Sequence, residues 1–174
     1  MITTIVEAAK IPLKKLSTEP FAEPMPKKHV LIIGGYAVNE FAELLKDYSV
    51  SVSSIVPTQT PHIDQEYELE KTARFEETYP DLCRGTGIAR DLSGFDTDAV
   101  DLLIITSLNA EIRDSFIRGA WRVVPDLGKV VIFTATPLPI SYLTDFGIAA
   151  PMYYQNEGFY IGTMRKAAAV QAQN

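Results

Sequence analysis

Two adjacent glycines, Gly34 and Gly35, are the best candidates in this chain for contact with a ligand. They follow directly on an apolar run, HVLII, at residues 29–33. Glycine has no Cβ and adopts unusual φ angles, so a glycine loop lets the backbone approach a bound molecule closely. A buried strand that ends in glycines therefore predicts a ligand site at its carboxyl end. A tight turn with no ligand is the competing explanation.

The other reactive side chains are few and widely separated in the sequence. His29 precedes the apolar strand and is predicted to cap it or to lie at the surface, and His62 is predicted to be exposed in a polar loop. Cys83 has no histidine nearby, so we expect no thiolate nucleophile. No group of His and Cys residues has the spacing of metal ligands, and we expect no metal site.

The segments on either side of the glycines predict a strand followed by a helix. The continuous apolar run at residues 29–33 is typical of a strand buried on both faces of a parallel sheet. Apolar residues at spacing i, i+3, i+4 and i+7 predict a helix over residues 39–48, with Asn39 as its N-cap. The members of that apolar stripe are Phe41, Leu44, Leu45 and Tyr48.

The rest of the chain continues this alternation of strands and helices. Residues 49–56 predict a second strand, and the acidic segment 58–81 predicts a surface helix whose carboxylates face solvent. A further helix is predicted over residues 110–124, from Ile112, Phe116 and Ala120 at helical spacing. The remaining predicted strands are 85–91, 101–106, 129–134, 152–155 and 159–164.

This order of elements predicts an α/β fold with a Rossmann-like open, mostly parallel sheet and a C-terminal antiparallel hairpin. In open α/β sheets, ligands bind beyond the carboxyl ends of the strands, near the change in strand order. The loop at residues 34–39 is therefore the first candidate for a binding site.

Composition and charge exclude several classes of function. The chain has 174 residues, 47% of them hydrophobic and 22% charged, with a net charge of −6. This is the size and composition of one globular domain. An acidic body repels a phosphate backbone, so nucleic acid is not an expected partner. The chain lacks a run of about 20 apolar residues, so we expect no membrane span and a cytoplasmic location.

The two ends of the chain differ from its centre. The first 27 residues contain four prolines, which forbid a long helix or an inner strand and predict an N-terminal arm. Residues 28–166 are predicted to form the α/β domain and residues 167–174 a short tail. If such an arm is ordered, the domain itself, a second copy of the chain or another protein must hold it, so a homo-oligomer or a complex with another protein is one expectation.

Three stretches of the chain resemble class I S-adenosylmethionine-dependent methyltransferases. HVLIIGG is similar to the first strand and glycine loop of that family, and RVVPDLGKVVIFT to the passage that leads into its fifth strand. DFG followed by a tyrosine-rich hairpin is similar to the antiparallel end of its sheet. The resemblance spans residues 28–166 and implies a methyltransferase-type fold with S-adenosylmethionine as cofactor.

The resemblance also implies which positions contact the cofactor. The family's glycine loop, the end of its second strand, an acid near the adenine and the end of its fourth strand supply these contacts. The matching residues here are Gly34, Gly35, Tyr36, Thr58, Gln59, Asp91, Thr106 and Ser107. Asn109 lies just beyond, where the family places catalytic or substrate groups.

Two hypotheses about function follow. The first is a methyltransferase-like protein that binds S-adenosylmethionine and acts on an acceptor that the sequence does not identify. The second is a non-catalytic subunit of the same fold that serves as a structural or assembly component of a larger complex, for example a viral particle. The second draws on the arm and on the absence of the family's acid before the glycines, where Ile32 stands.

Overall fold

The computed structural model describes residues 2–9 and 27–166 of the chain. Its helices are α1 (Ile2–Ala9), α2 (Val38–Leu45), α3 (His62–Thr78), α4 (Ala110–Ile117), α5 (Ala120–Val123) and α6 (Ile140–Asp145). Its strands are β1 (Lys28–Ile33), β2 (Val50–Pro57), β3 (Cys83–Ala89), β4 (Leu102–Ile105), β5 (Lys129–Phe133), β6 (Ile148–Tyr154) and β7 (Phe159–Met164).

All seven strands form one sheet in the order β3-β2-β1-β4-β5-β7-β6. Strands β1 to β5 pair in parallel, whereas β7 is antiparallel to both β5 and β6. The predicted fold class, a mostly parallel α/β sheet with a C-terminal antiparallel hairpin, is confirmed. None of the helices in the described ranges is long and apolar enough to cross a bilayer.

The apolar run of β1 is continuous because the strand supplies two cores. Val30 and Ile32 belong to the cluster formed with α1, α2 and α3. Leu31 and Ile33 belong to the cluster on the other face, formed with α4, α5 and α6. Successive side chains of a strand point to opposite faces, so a central strand covered on both sides must be apolar throughout.

Two predicted helix details are wrong. Helix α2 begins at Val38 with Ala37 in the N-cap position, and the Asn39 side-chain Nδ2 donates instead to the Lys71 carbonyl at 3.0 Å, which ties α2 to α3. The helix predicted over residues 110–124 is two helices. It breaks before α5 at Gly119, where an added Cβ would lie 2.8 Å from the Leu92 Cβ.

His29 is buried rather than at the surface, with 4% of its area exposed. Its Nδ1 lies 2.9 Å from the Ala99 carbonyl oxygen, and its Nε2 lies 2.7 Å from the Ser53 hydroxyl. Burial lowers the pKa of the imidazole below its ordinary value. His29 is therefore a core residue that links β1 to β2 and to the loop before β4.

The described part of the N-terminal arm packs on the domain itself. Ile5, Val6 and Ala9 of α1 are buried in the same cluster as Phe41 of α2. Residues 10–26 and the tail at 167–174 lie outside the described residues. The domain boundaries therefore stay a prediction.

We expect Ile5→Ala to lower the free energy of unfolding by about 2–5 kcal/mol, because it removes buried methyl groups and leaves a cavity. Urea denaturation followed by circular dichroism measures the change. Thr3→Ala, at an exposed position of the same helix, is the control and should change stability by less than about 0.5 kcal/mol. Equal stability of wild type and Ile5→Ala would show that α1 does not contribute to the core.

Candidate cofactor-binding cleft

A large cleft opens at the carboxyl ends of the parallel strands. It has a volume of about 960 Å³ and lies where β1 has β2 on one side and β4 on the other, which is the change in strand order. Its walls come from α1, the loop after β1, α3, the loop after β4 and the end of β5. The lining residues discussed below are Gly34, Tyr36, Glu40, Asp64, Tyr67, Glu68, Thr106, Ser107, Asn109, Ile112 and Phe133.

Both predicted loop glycines are required by packing. Gly34 has a φ of +107°, and an added Cβ would lie 2.2 Å from the Thr106 hydroxyl. At Gly35 an added Cβ would lie 2.4 Å from the Glu68 carbonyl oxygen. Close approach of β4 and α3 therefore accounts for these glycines without a ligand. Gly34 lines the cleft, whereas Gly35 lies beneath α3.

Glu68 of α3 reaches the backbone of the glycine loop. The Gly35 amide donates to the Glu68 Oε1 at 3.0 Å. Burial raises the pKa of the Glu68 carboxyl above its ordinary value, although hydrogen bonds from the Gly35 amide, the Thr60 hydroxyl and the Tyr36 amide oppose the shift. An acid is thus present beside the first strand, but it is supplied by a helix distant in sequence.

The cleft combines carboxylates with aromatic rings. Glu40, Asp64 and Glu68 line it, and no lysine or arginine from residues 2–9 and 27–166 does. The Tyr36 and Tyr67 rings lie 6.0 Å apart between centroids, and 66% of Tyr36 is exposed. The Lys71 ammonium already lies over the Tyr67 ring, 5.4 Å from its centroid, so the three carboxylates and the Tyr36 ring are the groups that favour a positively charged ligand.

The residues after β4 have structural partners as well as a place in the cleft. The Thr106 hydroxyl donates to the Ile33 carbonyl at 2.7 Å, which ties the end of β4 to β1. The Asn109 side chain accepts hydrogen bonds from the Glu111 and Ile112 amides and is the N-cap of α4. The Ser107 hydroxyl accepts from the Asn109 amide at 3.3 Å.

Three other residues predicted to contact the cofactor lie outside this cleft. Thr58 and Gln59 are exposed beyond the end of β2, where the Thr58 backbone amide donates to the Ala89 carbonyl and the Gln59 side-chain Nε2 donates to the Arg90 carbonyl. Asp91 lines a separate cavity and accepts a hydrogen bond from the Ser93 amide at 2.9 Å. The structure brings Gly34, Tyr36, Thr106 and Ser107 together and leaves these three apart.

The acidic residues of α3 are what the sequence analysis missed. Asp64, Tyr67 and Glu68 are spaced i, i+3 and i+4, which places them on one side of the helix. That spacing was a usable signal, but the prediction assigned the whole acidic stretch to a solvent-facing surface. For Glu68 this assignment is wrong, because its side chain is held at the loop after β1.

The remaining reactive residues take no part in the cleft. Burial raises the pKa of the Cys83 thiol, which disfavours the nucleophilic thiolate. His62 is 82% exposed, as predicted, and its Nε2 lies 3.0 Å from the Glu66 carboxylate. Within residues 2–9 and 27–166, no group of three or more His, Cys, Asp or Glu side chains is arranged to hold a metal ion.

Comparison with solved structures identifies the fold. A putative S-adenosyl-L-methionine-dependent methyltransferase from Methanococcus maripaludis superposes with a TM-score of 0.60 at 11% identity, over 94% of this chain and 83% of that one. The chain has a class I methyltransferase-like fold. A geranyl diphosphate C-methyltransferase from Streptomyces coelicolor has a TM-score of 0.53 at 11% identity, over 82% of this chain and 74% of that one. No family model and no curated protein sequence matches the chain.

A methyltransferase-like fold does not by itself specify a reaction. The [4+2]-cyclase SpnF superposes on this chain with a TM-score of 0.54 at 13% identity, over 76% of this chain and 43% of that one. Function must therefore be argued from the chemistry of the cleft.

We expect Gly35→Ala to destabilise the protein by about 1–3 kcal/mol, because the new methyl group would meet the backbone of α3. Thermal and urea denaturation measure the loss. Gly94→Ala is the matched control, because nothing lies within 4 Å of an added Cβ there. Equal effects of the two substitutions would contradict close packing of α3 on the glycine loop.

The raised pKa of Glu68 predicts a dependence on pH. The folded chain holds the Glu68 proton more tightly than the unfolded chain, so ionisation of this group disfavours folding at neutral pH. That penalty disappears as pH falls through the raised value towards about 4, the ordinary glutamate range.

The Glu68→Gln variant has no ionisable group at this position. Its free energy of unfolding relative to that of the wild type should therefore be highest near neutral pH and should decrease as pH falls. Urea denaturation at a series of pH values measures the difference. Glu70→Gln, exposed on the same helix, controls for the loss of a charge. A difference between Glu68→Gln and wild type that is constant with pH would contradict the burial of this carboxylate.

Proposed function

We propose that the cleft binds S-adenosylmethionine and that the protein is a methyltransferase-like enzyme. The observation that carries the proposal is a cleft at the change in strand order that combines three carboxylates with two tyrosine rings and has no described lysine or arginine in its lining. Two structural neighbours support the same cofactor, because one is a putative S-adenosyl-L-methionine-dependent methyltransferase and another was solved in complex with S-adenosylmethionine.

The charge of the ligand agrees with the charge of the cleft. S-adenosylmethionine carries a sulfonium and an ammonium group but a single carboxylate, so its net charge is positive. Asp64 and Glu68 supply opposite charge from α3, and Glu40 supplies it from α2. The exposed Tyr36 ring offers a π face of the kind that binds sulfonium and ammonium groups.

The chain's own residues would act by position rather than by strong acid–base chemistry. When bound, the cofactor supplies a methyl group already activated for transfer. Ile112 and Phe133 give the cleft apolar walls that exclude water from the reacting groups. Glu68, tied to the Gly35 amide, is a carboxylate that can hold a proton or accept a hydrogen bond from a hydroxyl. Orientation of donor and acceptor accounts for a large share of the rate in such a site.

Binding of S-adenosylmethionine and of its demethylated product, S-adenosylhomocysteine, tests the proposal. Isothermal titration calorimetry should show saturable binding of the first. Asp64→Asn should weaken the binding of S-adenosylmethionine about three- to tenfold, because the variant removes a negative charge that attracts the sulfonium. It should weaken the binding of S-adenosylhomocysteine less, because the sulfur of that ligand is uncharged. Asp81→Asn, outside the cleft, should change neither affinity. No heat at millimolar ligand would reject the cofactor, and equal losses for both ligands would reject the charge argument.

The competing proposal is a non-catalytic subunit of the same fold. Such a subunit would form a homo-oligomer or a complex with another protein through the N-terminal arm. The cytoplasmic location also remains a prediction. Deletion of residues 1–26 would also remove α1, which is part of the core. Replacement of residues 10–26 by a Gly/Ser linker of equal length keeps α1 and tests assembly alone. Light scattering should show smaller particles if the arm mediates assembly, and an unchanged mass would reject that role.

A further inference from the structure

A second cavity, separate from the cleft, lies between the loop after β3 and the junction of α4 with α5. It has a volume of about 480 Å³, which is within the usual range for sites that hold small molecules. Its lining residues are Arg90, Asp91, Leu92, Ser93, Ser115, Arg118, Gly119 and Arg122. None of them lines the acidic cleft.

Positive charge is concentrated in this cavity. The chain contains seven arginines, and three of them, Arg90, Arg118 and Arg122, line this one space although the whole chain is acidic. None of the three forms an ion pair with a carboxylate of the described residues. Asp91 is the one acid in the lining; hydrogen bonds from the hydroxyl and amide of Ser93 lower the pKa of its carboxyl, and the positive charge of Arg90 adds to that shift.

One of these guanidinium groups is held in place by the fold. The Arg122 Nη2 donates to the Leu92 carbonyl oxygen at 2.9 Å, which fixes the group against the loop after β3. Gly119 lets that loop approach the helices, because an added Cβ would lie 2.8 Å from the Leu92 Cβ. The cavity is therefore built from a loop and two helices that are closely packed together.

Arg90 and Arg118 are exposed at the rim of this space, and a dianion bound between arginines is attracted by each of their positive charges. Guanidinium groups also match the oxygens of a phosphoryl group with paired, charge-assisted hydrogen bonds. The cavity is larger than a bare ion requires, so the rest of the ligand has room. We propose that this cavity binds a small molecule that bears a phosphate monoester, independently of any ligand in the acidic cleft.

Phenyl phosphate and phenol are probes that differ in the phosphoryl group alone. In two-dimensional amide NMR of the full chain, phenyl phosphate should produce saturable shifts at Ser93 and Gly119, and phenol should not. Arg90→Gln and Arg118→Gln should each weaken binding about tenfold or more. Arg74→Gln, an exposed arginine on α3, should leave it unchanged.

Three outcomes would overturn the proposal. The first is the absence of saturable shifts at millimolar phenyl phosphate, and the second is equal affinity of the Arg118→Gln and Arg74→Gln variants. The third is displacement of phenyl phosphate by a short single-stranded oligonucleotide that binds more tightly, which would assign the arginines to a polymer instead of a small molecule. None of these outcomes bears on S-adenosylmethionine binding in the cleft.

Discussion

Helix α3 lies so close to the loop after β1 that a single added methyl group at Gly35 would overlap the Glu68 carbonyl oxygen. The same helix sends the Glu68 carboxylate to the Gly35 amide. This contact sets the floor of the cleft and brings an acid to the end of the first strand. Because protein interiors are closely packed, the glycine at position 35 and the path of α3 must be specified together.

The strands were easier to predict than the residues of the cleft, because a continuous apolar run is enough to indicate a buried central strand. The run at residues 29–33 has a parallel strand on each edge and a hydrophobic cluster on each face. The buried residues of α3 are Thr72 and Phe75, so this helix lacks the apolar stripe that marks a packed face. The i, i+3, i+4 spacing places Asp64, Tyr67 and Glu68 on one side of the helix, but it does not show that this side faces a loop about thirty residues earlier.

Net charge conceals how charge is distributed over the folded chain. The overall value of −6 correctly describes an acidic protein, yet folding collects carboxylates in one cleft and Arg90, Arg118 and Arg122 in another cavity. These arginines belong to a loop and to the α4–α5 junction, so their proximity exists only in three dimensions. Local potentials decide which ligand enters which space.

Helix α1 forms one wall of the cleft and also contributes buried side chains to the core. Ile2 and Thr3 of α1 line the cleft, while Ile5 and Ala9 of the same helix are buried beneath. A ligand that fills the cleft and contacts α1 must therefore stabilise the docked position of this helix, because it binds the docked state more tightly than the undocked state. Helix α1 is thus part of the wall of the cleft, independently of any role in assembly of the segment that follows it.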